Sequence, residues 1–69
     1  RQLSYFVAAG EALSIRQASL HINVSEPSIS SAISQLESEF SITLFIRHHA
    51  QGLSLTQAGT AMLRESKAL

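Results

Sequence analysis

The sequence predicts a mainly α-helical domain: a core of three helices, one β-hairpin after the third, and a fourth helix to close. Three observations carry that expectation. Apolar residues recur at helical spacing, most clearly in Ile29, Ile33, Leu36 and Phe40. The period then shortens in Leu44-Phe45-Ile46 and Leu53-Ser54-Leu55, two strand-like runs on either side of a polar stretch that ends in Gly52. Three hydroxyl residues, Ser14, Ser25 and Thr56, stand where helix starts need a cap.

Taken in order, Leu3, Phe6, Val7 and Gly10 give the i, i+3, i+4, i+7 pattern of a first helix over about residues 2–12. Ser14 caps a second, with Ile15, Ala18, Ser19 and Ile22 turned inward and Leu20 off that stripe. Ala18 is small where two helices cross closely. Asn23 then supplies a residue that tolerates the left-handed backbone of a sharp turn. Ser25 caps the third helix, and Glu26 and Pro27 occupy its first turn, where amide hydrogens lack helical partners and proline does no harm. Ser41 follows Phe40, at a site where glycine would end the helix more comfortably. The hairpin comes next, with Arg47-His48-His49-Ala50-Gln51-Gly52 as its loop, and Thr56 caps a last helix. That helix carries Ala58, Ala61, Met62, Ala68 and Leu69 on one side.

Composition narrows the function classes. Sixty-nine residues make one small domain, with little room for an enclosed pocket. There is no cysteine, so neither a disulfide nor a thiolate metal site is available, and a reducing, cytoplasmic setting is the expected one. No stretch approaches the roughly 20 apolar residues that span a bilayer. Five basic and five acidic residues cancel, which counts against strong sequence-independent binding to nucleic acid. Starting at Arg1 and stopping at Leu69 inside a helical pattern, the chain is expected to be a piece of a longer protein.

A helix, a tight turn and a second helix is the helix-turn-helix layout, whose second helix enters the DNA major groove. The hairpin behind it would be the wing of a winged helix-turn-helix. Several motifs make the likeness specific: Tyr5-Phe6, Ser14-Ile15-Arg16-Gln17-Ala18, Val24-Ser25-Glu26-Pro27-Ser28-Ile29-Ser30, Ile33-Ser34-Gln35-Leu36-Glu37, Leu44-Phe45-Ile46-Arg47 and Leu55-Thr56-Gln57-Ala58-Gly59. Together, in order and across essentially the whole chain, they resemble the amino-terminal domain of LysR-type transcriptional regulators. The resemblance implies a winged helix-turn-helix over residues 1–56, and the start of a linker and dimerisation helix over 57–69. The family's separate effector-sensing domain is expected to lie outside these residues, so a small-molecule effector would act only through that part.

Carried over by position, the third helix is the recognition helix, with Ser25, Glu26, Pro27, Ser28, Ser30, Ser31 and Ser34 towards DNA. Hydroxyls donate to phosphates or base acceptors, and short side chains let the helix backbone come close. Ser14, Arg16 and Gln17, at the start of the second helix, would hold a phosphate. Arg47, His48 and His49 would touch the DNA backbone from the wing. The dimer contact would come from Ala58, Ala61, Met62, Glu65 and Leu69. Two copies would then place their recognition helices about 34 Å apart on double-stranded DNA.

Three positions depart from the family pattern. Glu26 stands where glutamine is usual, and is either a base reader or a charge suited to a helix start. Ser31 stands where many members carry a basic residue, and Ser41 where glycine is usual. Arg47 has a second reading as an intramolecular ion pair with Glu37. Consecutive His48 and His49 in extended chain point to opposite faces, so no metal site is expected of them. No cofactor is implied. No nucleophile elbow, glycine-rich phosphate loop or paired acid–base motif accompanies the Ser, His and Glu residues, so an enzyme is not expected. The rival from another class is a winged-helix module that docks a protein partner instead of DNA.

Overall fold

The computed structural model describes residues 2–48 and 52–68. Arg1, His49, Ala50, Gln51 and Leu69 lie outside the described residues, and with them the expected contacts of His49 and Leu69. The order is α1 (Gln2–Ala12), α2 (Ile15–Ile22), α3 (Glu26–Phe40), β1 (Phe45–His48), β2 (Gly52–Leu55) and α4 (Gln57–Ala68). This is the mainly α-helical winged helix-turn-helix that the periodicities predict. Helix α1 packs against α2, α3 and α4, and α2 also packs against α3.

Local chemistry sets the boundaries. Ser14 is the N-cap of α2, its hydroxyl accepting from Gln17 N at 3.1 Å. Asn23 takes the left-handed conformation (φ 58°, ψ 47°) and its N–H bonds Ser19 O, ending α2 and turning the chain into α3. Ser25 caps α3 by accepting from Ser28 N. Ser41 ends that helix at φ 54°, ψ 41°. A left-handed L-residue costs about 1–2 kcal/mol, part of which glycine would recover. Ser41→Gly is therefore expected to stabilise the domain by about 0.5–1 kcal/mol, and melting should move up by several degrees. An unchanged or lower midpoint would contradict this.

Phe6, Ile29, Ile33 and Leu44 are the large side chains with no exposure, and the Phe6 and Phe45 rings meet at 5.5 Å in a tilted pair. Two expected inner faces need correction, and the inward side of α4 becomes visible. On α1 the buried line is Phe6, Ala9 and Gly10, while Leu3 is exposed. The small pair Ala9-Gly10 is what lets neighbouring helices come close. Phe40 is 54% exposed, because it lies at the end of α3 where the chain turns away at Ser41 and the core has ended. On α4 the inner side is Gly59 with Ala58, Met62, Leu63 and Ser66, whereas Ala61 and Ala68 are exposed. Leu63 decides this rotation: it sits 3.1 Å from where a Cβ on Gly10 would stand.

The hairpin is antiparallel, with Phe45 opposite Leu55, Ile46 opposite Ser54, Arg47 opposite Leu53 and His48 opposite Gly52. Arg47, His48 and Gly52 thus belong to the strands, which shortens the predicted six-residue loop. Backbone hydrogen bonds tie the base of the wing to the segments around it. Leu53 N donates to Leu13 O in the α1–α2 turn at 2.9 Å, and Thr56 N donates to Leu44 O at 3.0 Å. Gly52 has φ 87°, and a Cβ there would fall 2.6 Å from the Leu13 carbonyl oxygen, so only glycine fits this corner.

Candidate nucleic-acid interface

Helix α3 buries Ile29, Ala32, Ile33 and Leu36 on one side. At 3.6 residues per turn the opposite side is centred on Pro27, Ser31 and Ser34, all exposed. Glu26 and Ser30 flank it on the side of α2 and the wing, and Ser28 and Gln35 on the side of α1. None of the central side chains is larger than a proline ring, so a binding partner can approach the helix backbone along about two turns.

Two shallow depressions lie along those flanks. One is formed by Ile15 and Ser19 of α2, Glu26, Pro27 and Ser30 of α3, and Arg47 of β1. The other joins Gln2 and Tyr5 of α1 to Pro27, Ser28, Ser31, Ala32 and Gln35. There the Gln2 and Gln35 amides hydrogen-bond each other, linking the start of α1 to α3. Gln35 escaped the sequence-based selection, although its spacing of four from Ser31 and seven from Ser28 puts it on their stripe. Ile15 and Ser19, expected to face only inward, are half-buried and contribute to the rim.

Of the two readings of Arg47, the ion pair with Glu37 does not form. Arg47 Nη2 donates to Ser30 Oγ at 3.0 Å, bracing the wing against α3. Glu37 is already committed elsewhere: Oε2 accepts from Leu44 N at 2.7 Å and from Phe45 N at 3.3 Å. The carboxylate thereby fixes the entry into β1, two residues short of Arg47. His48 sits on the opposite face of the strand, its Nε2 within 2.6 Å of Ser54 Oγ.

The other expected site residues divide. Arg16 is exposed on α2, while Gln17 turns towards a different groove, with His21 and the α1 residues Leu3, Val7 and Glu11. Ser25 spends its hydroxyl within the protein, on Ser28 N and Ser28 Oγ. On α4, Ala61 and Glu65 are exposed, but Ala58 and Met62 are half-buried, and Met62 packs on the domain's own core. The ion pair among the described residues, Lys67 Nζ to Glu11 Oε2 at 3.1 Å, ties α4 to α1 away from the α3 face. Its side chains are half exposed, so it adds about 1 kcal/mol at most. Among the described residues no three His, Cys, Asp or Glu side chains group as metal ligands, and no helix is long and apolar enough to cross a membrane.

Comparison with known proteins gives a consistent result. The chain is 39% identical over its full length to the HTH-type transcriptional regulator ClcR of Pseudomonas putida, and spans 23% of that protein. It is 39% identical over 97% of its length to XapR of Escherichia coli (strain K12), spanning 22% of it. Among solved structures, the CbnR_DBD–DNA complex superposes with a TM-score of 0.93 at 37% identity, covering 99% of this chain and 77% of that one. The model of bacterial regulatory helix-turn-helix proteins of the lysR family matches residues 1–60. With its turn, wing and exposed serine face all in that frame, the chain belongs to the lysR family of bacterial regulatory helix-turn-helix proteins.

Proposed function

We propose that this chain is the DNA-reading domain of a bacterial transcriptional regulator, binding double-stranded DNA in a sequence-specific manner with α3 in the major groove. The observation that carries this reading is the outward side of α3. It presents Pro27, Ser31 and Ser34 with no bulky side chain, and Arg47 is braced beside it by Ser30. Such a face leaves room for a helix to sit deep in a groove about 12 Å wide. Its hydroxyls and the guanidinium provide donors for phosphate and base acceptors. The wing, with Arg47 and His48, would follow the backbone, and Arg16 on α2 would meet a phosphate.

Pairing of two copies through the exposed side of α4, with Ala61 and Glu65, would present two such faces to a two-fold site. The same reading makes the protein a non-enzymatic regulator working in the cytoplasm, with its effector bound by another part of the protein.

A salt titration tests the proposal. The affinity of the protein carrying this chain for its DNA should fall linearly on a log–log plot, with a slope of about −0.9 per phosphate neutralised. Arg16, Arg47 and the wing, counted over two copies, call for a slope of several units. A salt-insensitive interaction, or no retained duplex at low salt, would instead favour a protein-docking module.

A further inference from the structure

The recognition face carries one charge of the wrong sign for a phosphate. Glu26 is exposed at the first position of α3 and shares a depression with Ser19, Ser30 and Arg47, and among the described residues it forms no ion pair. Phosphates line both rims of the major groove and would repel a carboxylate. The groove floor offers it two hydrogen-bond donors, the amino groups of cytosine N4 and adenine N6. Adenine also exposes N7, an acceptor beside its amino group, against which the second carboxylate oxygen would be pressed. The major-groove edge of cytosine has no such acceptor. Arg47 lies on the same depression, where its guanidinium offsets the repulsion between the carboxylate and nearby phosphates.

We propose that Glu26 is a specificity-determining residue that accepts a hydrogen bond from N4 of a cytosine in the bound site, with Arg47 as the compensating cation. This rests on α3 docking in the major groove. A carboxylate at a helix start also complements the helix dipole, but that role leaves no trace in the DNA sequence chosen.

The test is to select bound sequences from a random duplex pool with the protein carrying this chain, and with its Glu26→Gln and Glu26→Ala forms. One position should be cytosine for the wild type, adenine for Glu26→Gln and without preference for Glu26→Ala, because a glutamine amide pairs with adenine N6 and N7. On defined duplexes the cytosine-to-adenine affinity ratio should change by about tenfold or more between wild type and Glu26→Gln. An unchanged base preference in all three proteins would overturn the proposal while leaving the DNA-reading function standing. So would tighter binding by both variants to every sequence alike, which would mark Glu26 as a source of phosphate repulsion only. A wild type that retains no duplex at low salt would remove the DNA-reading function, and this proposal with it.

Discussion

Replacing Gly59 with alanine is expected to lower the stability of the domain by about 3 kcal/mol or more, the sum of overpacking and of hydrogen bonds lost around the site. A Cβ on Gly59 would lie 2.1 Å from the Leu44 carbonyl oxygen and 3.0 Å from Leu55 Cδ2. The first of these neighbours is backbone and cannot swing aside. It is also the acceptor for Thr56 N, while Thr56 Oγ1 accepts from Gly59 N at 2.9 Å and donates to Thr43 O. Moving α4 away to admit the methyl group would break this junction between the wing and the last helix.

Small domains are stable by roughly 0.05–0.15 kcal/mol per residue, so such a loss would consume much of the margin. Thermal melting should drop by about 15 °C or more. Gly10→Ala makes the contrast: its methyl would meet only the side chain of Leu63, which can shift, and the helix gains propensity. That variant should stay within about 1 kcal/mol of the wild type. Equal effects of the two substitutions would show that the close approach at Gly59 is not what holds α4.

Ser31 is the position at which DNA affinity should respond most to charge. Ser31→Glu is expected to weaken binding by about 10- to 100-fold, and Ser31→Arg to strengthen it at low salt and steepen the salt slope by about 0.9. Ser31 is exposed near the middle of the outward side of α3, in the depression between that helix and α1. Among the described residues its hydroxyl makes no hydrogen bond that either variant would sacrifice, so both should keep a melting temperature close to that of the wild type. The opposite signs separate electrostatics from bulk, since both replacements are long. If both bind DNA as the wild type does, or both weaken it equally, α3 does not lie in the groove by this face.

Much of the fold is legible in the residue order because the physics is local. Ser14, Ser25 and Thr56 mark helix starts within three residues of the amides they cap, and Asn23 and Ser41 take the left-handed conformations that stop α2 and α3. The hydroxyl-rich side of α3 is likewise fixed by helix geometry once Ile29, Ile33 and Leu36 are known to face inward. Other features depend on partners far away in sequence. Arg47 meets Ser30 across 17 residues, where charge alone pointed to Glu37 or to phosphate. Glu37 serves the backbone of Leu44 and Phe45, an arrangement that leaves no sign in composition or periodicity.

Residue order alone settles the number and type of elements, the turn between α2 and α3, and an outward side of α3 made of serines with a carboxylate in its first turn. Periodicity and capping act within a few residues, and so can be read from the chain alone. It took the packed chain to fix which sides of α1 and α4 turn inward, to leave Phe40 beyond the core, and to bring Arg47 and Glu26 to one depression along α3. Those outcomes depend on contacts between residues distant in sequence. For α4 they are set by two glycines: Gly10, which faces Leu63 of α4, and Gly59, which faces the Leu44 carbonyl and the Leu55 side chain at the base of the hairpin.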